Sequence, residues 1–252
     1  MGRDIWDPEI YGTYAGERSR PFFELVGRVG AESPAYVVDL GCGTGELTAS
    51  LRPRWPSAQV HGVDSSPAMI EQAPQGPTFE VADIRDWRPE RPVDVIVSNA
   101  ALQWVPGHRE LLGRWVGHLA EGGWLAFQVP GNFDSPSHTI IRELCRTKWK
   151  EALGDLEDRP AADEPLDYVR RLAGLGCEVD AWETTYIHVL PGDDAVLAWV
   201  RGTALRPILD RLSPRDQELF LTDCGSLLRE AYPREPYGTA FPFRRIFVVA
   251  HI

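Results

Sequence analysis

The stretch Ala35-Tyr-Val-Val-Asp-Leu-Gly-Cys-Gly-Thr-Gly-Glu46 decides the fold. Its first six residues form a short, β-prone apolar run. The glycines that follow open into an amphipathic segment, Gly45 to Leu51. A strand that hands over to a helix through a glycine turn leaves a crevice at the strand's carboxyl end, the place where doubly wound sheets take nucleoside ligands. Gly41, Gly43 and Gly45 permit a tight turn and close backbone approach, with Asp39 at the end of the strand. Dinucleotide sites space their glycines G-x-G-x-x-G and seat pyrophosphate on the helix N-terminus. Here the third glycine comes one residue early, and Glu46 stands where that motif has glycine. A carboxylate there opposes a pyrophosphate but not a cation.

Outward from this stretch, apolar runs alternate with amphipathic ones. Gln59-Val-His-Gly-Val-Asp64, Thr78-Phe-Glu-Val-Ala-Asp83, Pro92-Val-Asp-Val-Ile-Val-Ser98 and Gly123-Trp-Leu-Ala-Phe-Gln-Val129 read as further strands, with crossover helices at Gly45–Leu51, Pro67–Ala73 and Arg109–Leu119. This rhythm predicts an α/β fold with a mostly parallel sheet. Arg52-Pro-Arg-Trp-Pro56 is read as the breaker after the first helix. Past Gln128 come helices at His138–Leu153 and Pro165–Leu175, a strand at Cys177–Leu190, helices at Asp194–Leu212 and Asp216–Tyr232, and a last strand at Arg245–Ala250. The expected organisation is one domain of seven strands: an N-terminal segment 1–34, a core 35–132, helical cap insertions 133–176 and 191–240, and the last two strands within 177–190 and 241–252.

Composition narrows the function classes. A formal charge of −11 over 252 residues argues against a phosphate-binding face, so nucleic acid is not an expected partner. No run of about 18 apolar residues is present and the first residues lack a basic region followed by an apolar stretch, so no membrane association and a cytoplasmic location are expected. Trp6 occupies the position where a myristoylation signal needs Ser or Thr. Cys42, Cys145, Cys177 and Cys224 are scattered, which suits free thiols and no metal site. Lysine occurs only at 148 and 150, so an anion-binding cation is expected to be an arginine.

The ends of successive strands carry a series of polar residues. Asp64, about twenty residues past the glycines, is placed to accept ribose hydroxyls, with Ser65 and Met69 beside it. Asp83 would take an adenine amino group while Ile84 packs on the ring, and Asn99 follows the fourth strand. Each alone is weak, since such residues also serve as caps and turns. In this order they resemble the class I S-adenosylmethionine-dependent methyltransferases, which implies a Rossmann-like seven-stranded sheet with helical cap insertions, S-adenosyl-L-methionine as cofactor, and Asn99 at its methionine end.

Asn99-Ala-Ala-Leu-Gln-Trp-Val-Pro-Gly-His108, Gln128-Val-Pro-Gly-Asn-Phe133 and Phe241-Pro-Phe-Arg-Arg-Ile-Phe247, with Ile5-Trp-Asp-Pro-Glu-Ile-Tyr11 and Arg18-Ser-Arg-Pro21, are similar to the trans-aconitate 2-methyltransferase family over nearly the full length. The resemblance implies methyl transfer to a carboxylate of a small organic acid, yielding a monomethyl ester. A carboxylate is ionised near neutral pH and needs no general base, so no catalytic base is assigned. The enzyme would work by alignment and water exclusion.

Arg244 and Arg245 are the leading anchors for the acid, and strand alternation lets only one point inward. Arg20 is a further candidate, on a segment that in the family folds over the cofactor. Gln103 and Trp104 would wall the methyl donor, Gln103 as a substrate-binding candidate and Trp104 by a cation–π contact or, alternatively, as core packing. Gln128 and Asn132 are neutral donors to substrate carboxylates or turn residues. His108 reads as a helix-start residue, Tyr186 and His188 as pocket residues, and Trp6, Tyr11 and Tyr14 as a lid or a docked helix. Rival readings are a methyltransferase for another acid or a phenol, a nicotinamide-dependent reductase, and a non-catalytic adenosine-binding regulator.

Overall fold

A computed structural model describes residues 15–154 and 162–252. Trp6, Tyr11 and Tyr14 lie outside the described residues. The first described element is α1 (Ala15–Gly27), whose Phe22, Leu25 and Val26 are buried. Strands β1 (Tyr36–Leu40), β2 (Gln59–Asp64), β3 (Thr78–Val81), β4 (Val93–Asn99), β5 (Leu119–Pro130), β6 (Glu178–Leu190) and β7 (Thr239–His251) form one seven-stranded sheet in the order β3-β2-β1-β4-β5-β7-β6. Every pairing from β3 to β5 is parallel, and β7 joins β5 antiparallel. The chain goes from β1 outward to β3 and then returns to β4 on the other side of β1. The point where the strand order reverses lies between β1 and β4, beside the glycine turn. β1 and β4 read as continuous apolar runs because a parallel sheet is covered on both faces. Val37, Val38, Leu40, Val95, Ile96 and Val97 are all fully buried.

The first crossover splits into two short helices that reach past its expected end, and the other two stop short of theirs. α2 (Glu46–Ala49), α3 (Leu51–Arg54), α4 (Pro67–Ile70) and α5 (His108–Val116) connect the parallel strands. Arg52-Pro-Arg is not a breaker: α3 runs through it. Pro53 falls in the first turn, where its missing N–H would have had no intrahelical partner. The chain leaves the helix only at Trp55, with φ −128°. The expected helix 138–153 divides at Thr147 into α6 (Pro136–Arg146) and α7 (Lys150–Leu153), and α8 follows (Pro165–Ala173). The expected helix 194–212 divides after Gly202 into α9 (Ala195–Arg201) and α10 (Arg206–Leu209), before α11 (Pro214–Ala231).

The described residues fall into two compact units. One holds residues 15–130, 162–184 and Arg245–Ile252; the other holds residues 131–154 and Thr185–Arg244. The core of the first runs through Tyr36, Ile96, Trp115, Phe127, Tyr168 and Val248. His108, at the start of α5, is buried there and meets the Tyr168 hydroxyl at 3.0 Å. The second unit is packed around aromatic side chains: His188 stacks on Trp199 and on Tyr186, while Phe241 and Phe243 meet Trp199. Tyr186 and His188 therefore sit in that aromatic cluster. No helix among the described residues is long and apolar enough to cross a membrane.

Candidate active site

The glycine turn is built by contacts that only glycine allows. Gly45 has φ +75°, and a Cβ there would lie 2.4 Å from the Phe79 ring; at Gly41, φ +81°, it would lie 2.3 Å from the Ala101 methyl. Phe79 on β3 and Ala101 after β4 thus press on the turn from two sides. Asp39 is buried at its base, where Thr48 Oγ1 donates to Oδ2 at 2.6 Å. Asp64 holds the turn from the next strand: its Oδ2 accepts from the Gly43 N–H at 2.8 Å and its Oδ1 from the Ser66 N–H at 2.9 Å. Ser65 beside it is exposed, and Met69 is buried in α4, capped by Ser66.

At the end of β3, Asp83 and Arg85 form a bidentate pair, with contacts of 2.6 to 3.0 Å. Hydrogen bonding from Arg85 holds the Asp83 carboxyl below its usual range. Ile84 is buried next to it. After β4 comes Ala100, with φ +54° the one non-glycine of positive φ among the described residues. That conformation costs an L-residue roughly 1–2 kcal/mol, and such strain concentrates at ligand sites. Ala100 is held by its own N–H, which donates to the Gln128 main-chain oxygen at 2.9 Å, and by its carbonyl, which accepts from Gln103 Nε2 at 2.6 Å. Asn99 Oδ1 and Gln103 Oε1 are buried acceptors with no donor among the described residues. Trp104, 41 % exposed at the end of the 3-10 turn Leu102–Trp104, is not a core residue.

The β7 register separates the two arginines. The strand begins at Thr239, not near residue 245, because the alternation that buries Phe241 and Phe243 continues it backward. Arg244 and Arg245 are therefore mid-strand. What brings Arg245 to the carboxyl ends of the parallel strands is its pairing opposite Pro130, two residues beyond Gln128, which itself pairs with Asn99. Arg245 is 5 % exposed and its Nη1 donates to Gln128 Oε1 at 3.2 Å. That bond fixes the amide, so Gln128 Nε2 is a fully buried donor with no acceptor among the described residues. Arg244 is half-buried, its Nη1 donating to the Gly131 carbonyl at 3.2 Å.

The remaining candidates have other neighbours. Arg20 is exposed on α1 and bonds Glu24 at 2.8 Å, one helical turn away. Asn132, in the second unit, is buried beside His138, whose Nδ1 lies 3.4 Å from Asn132 Nδ2 and 3.1 Å from Ser137 Oγ. Burial there, with Arg142 nearby, pushes the His138 imidazole down to about 4.

A profile for the methyltransferase domain matches residues 14–173. Full-length similarity is more specific. Trans-aconitate 2-methyltransferase of Rhodococcus jostii is 55 % identical over 253 residues, covering 98 % of this chain and 100 % of the relative. The chain belongs to the trans-aconitate 2-methyltransferase family. Relatives of the same name in Streptomyces coelicolor and Mycobacterium tuberculosis are 50 % and 47 % identical, covering 97 % and 98 % of this chain and 86 % and 97 % of their own. Solved structures share the fold of this methyltransferase at low identity. A putative methyltransferase of Bacillus halodurans has a TM-score of 0.58 at 14 % identity over 92 % of this chain and 98 % of its own. The Haloferax volcanii complex of the Trm112 activator with a putative methyltransferase gives 0.55 at 17 % identity over 96 % and 94 %.

Within the methyltransferase, Thr48, Phe79 and Ala100 have no signature in the sequence. Thr48 follows Asp39 at no diagnostic spacing, and a positive φ at alanine leaves no trace in the sequence. Phe79 lies opposite Gly62, a pairing that only the sheet register shows. Asp39 carries a measurable consequence. Burial, partly offset by the Thr48 hydrogen bond and reinforced by Asp64, raises its carboxyl to about 7. A carboxyl raised on folding contributes stability that is complete below its unfolded value, near 4, and is lost as pH climbs through about 7. His108, His118 and His138 are lowered, mainly by burial, and act in the opposite sense. The comparison with Asp39→Asn isolates the effect. Between pH 5 and 8 the ligand-free wild type should lose denaturation midpoint relative to the variant, and parallel profiles would reject the shift.

Proposed function

We propose that this chain transfers a methyl group from S-adenosylmethionine to a carboxylate oxygen of trans-aconitate, giving a monomethyl ester and S-adenosylhomocysteine. The relatives that carry this activity in their names match nearly the whole chain. The observation that carries the acid end is the buried Arg245–Gln128 pair: in a protein of net charge −11, a guanidinium and an amide N–H with no acceptor among the described residues come together at the carboxyl ends of the strands. The Gln128 N–H is a buried donor, and buried donors are matched by an acceptor. A carboxylate supplies it through charge-assisted hydrogen bonds.

The donor end fits a nucleoside bearing a cationic methyl. Asp64, which organises the Gly43 turn, is our candidate for the ribose hydroxyls, Asp83 and Ile84 for the adenine, and Asn99 Oδ1 for the α-ammonium. When bound, S-adenosylmethionine supplies an electrophilic methyl on sulfur. The residues of the chain bind, orient and dehydrate: Arg245 and Gln128 hold the acid, and Trp104 flanks the methyl donor. Removing water from the reacting carboxylate costs free energy that these anchoring bonds offset.

Because the nucleophile is already ionised, kcat should stay nearly flat from about pH 6 to 8.5. A steep rise through neutrality with chemistry rate-limiting would point to a base and a protic substrate such as a phenol. A screen of trans-aconitate, cis-aconitate, isocitrate and simple phenols, read by mass spectrometry of the product, tests the assignment. The reading requires trans-aconitate to be turned over with the highest kcat/KM, and preference for another compound would overturn it.

A further inference from the structure

The Gln103 amide can be oriented without ambiguity because its neighbour is a carbonyl. Nε2 donates to the Ala100 oxygen at 2.6 Å, so Oε1 must face away, and there it is buried without a donor among the described residues. The Gln128 amide is fixed the other way: Arg245 claims its oxygen and leaves its N–H outward. Ala100 ties the two together, bonding the Gln128 main chain through its N–H and the Gln103 side chain through its carbonyl. Neighbouring strand ends thus present one committed acceptor and one committed donor, joined through a single strained residue of φ +54°.

A buried acceptor is matched by a donor, and a bound ligand can supply one. The sulfonium-bound methyl has C–H bonds polarised by the positive charge, and such groups donate to carbonyl oxygens. The α-ammonium of the cofactor is the other available donor, but it lies at the end remote from the nucleophile. Gln103 is instead linked through Ala100 to the residue that grips the acid, and Asn99 Oδ1 remains for the ammonium.

We propose that Gln103 Oε1 is the specificity-determining acceptor for the charged methyl centre, so that the site holds the sulfonium more tightly than the neutral thioether product. This rests on the reading of the loop after β4 as part of the donor site. An interaction present with the sulfonium and absent with the thioether also favours product release.

The test is calorimetric binding of three probes to the wild type, Gln103→Leu and Gln103→Met: S-adenosylmethionine, S-adenosylhomocysteine, and sinefungin, which carries an amine-bearing carbon in place of the sulfonium. Both variants should bind S-adenosylmethionine about fivefold and sinefungin about tenfold more weakly, since N–H donors bond more strongly than C–H, with S-adenosylhomocysteine unchanged within twofold. That last affinity also reports folding of each variant. Equal losses for all three probes would mean that Gln103 serves the ammonium or only supports Ala100, and would overturn the proposal, as would no loss for any. If the wild type bound none of the three, the functional reading itself would fall.

Discussion

Arg245→Lys is expected to lower kcat/KM for the acid about 100-fold while S-adenosylhomocysteine binds within twofold of wild type. Arg244→Lys should cost less than fivefold. Arg245 is 5 % exposed and bonded to Gln128, whereas Arg244 is half-buried and bonded to the Gly131 carbonyl. A guanidinium can grip a carboxylate with two parallel hydrogen bonds, whereas lysine offers a single charged point on a flexible stem. The expected loss corresponds to roughly 2.7 kcal/mol of transition-state stabilisation. It should appear in kcat as well as in KM, because misalignment of the reacting carboxylate is penalised directly when alignment is most of the catalysis. Steady-state kinetics with calorimetry on the same preparations reads both halves. If Arg244→Lys gave the large loss and Arg245→Lys did not, the buried pair would be structural. If neither did, Arg20, exposed on α1, would be the next residue to replace.

Asp64→Ala should weaken S-adenosylhomocysteine binding by about 1.5–3 kcal/mol, roughly 10- to 150-fold, as expected for loss of hydrogen bonds to a charged group. The carboxylate already accepts from Gly43 and Ser66, so its removal releases the glycine turn in addition to any ribose contact. Asp64→Asn retains one acceptor oxygen and should fall between wild type and alanine. Calorimetry with the folded variants decides the point: unchanged affinity would remove Asp64 from the site.

The fold was legible because the sequence pattern and the physics coincide at β1 through β5. Runs such as Val37-Val-Asp-Leu and Val95-Ile-Val are buried on both faces, and the strand bounds 59–64 were read to the residue. Helix ends were less legible. Pro53 reads as a breaker until its place in a first turn is known, and the break at Thr147 follows from its backbone conformation, with no proline or glycine there to mark it. In the candidate site, the residue types at strand ends could be named from spacing, but orientation could not. Period-two alternation showed that Arg244 and Arg245 must differ. Only the register against Pro130 shows which is buried. The fixed amides of Gln103 and Gln128 depend on single hydrogen bonds to a carbonyl and to a guanidinium, which no one-dimensional pattern records.

Methyl transfer to a carboxylate is tested by incubating the protein with trans-aconitate and S-adenosylmethionine carrying an isotope-labelled methyl, then treating the isolated product with mild base. The expected result is a labelled monomethyl product that base hydrolyses back to the free acid with release of labelled methanol. A labelled product that resists base, or no labelled product from trans-aconitate while another acceptor is methylated, would contradict it.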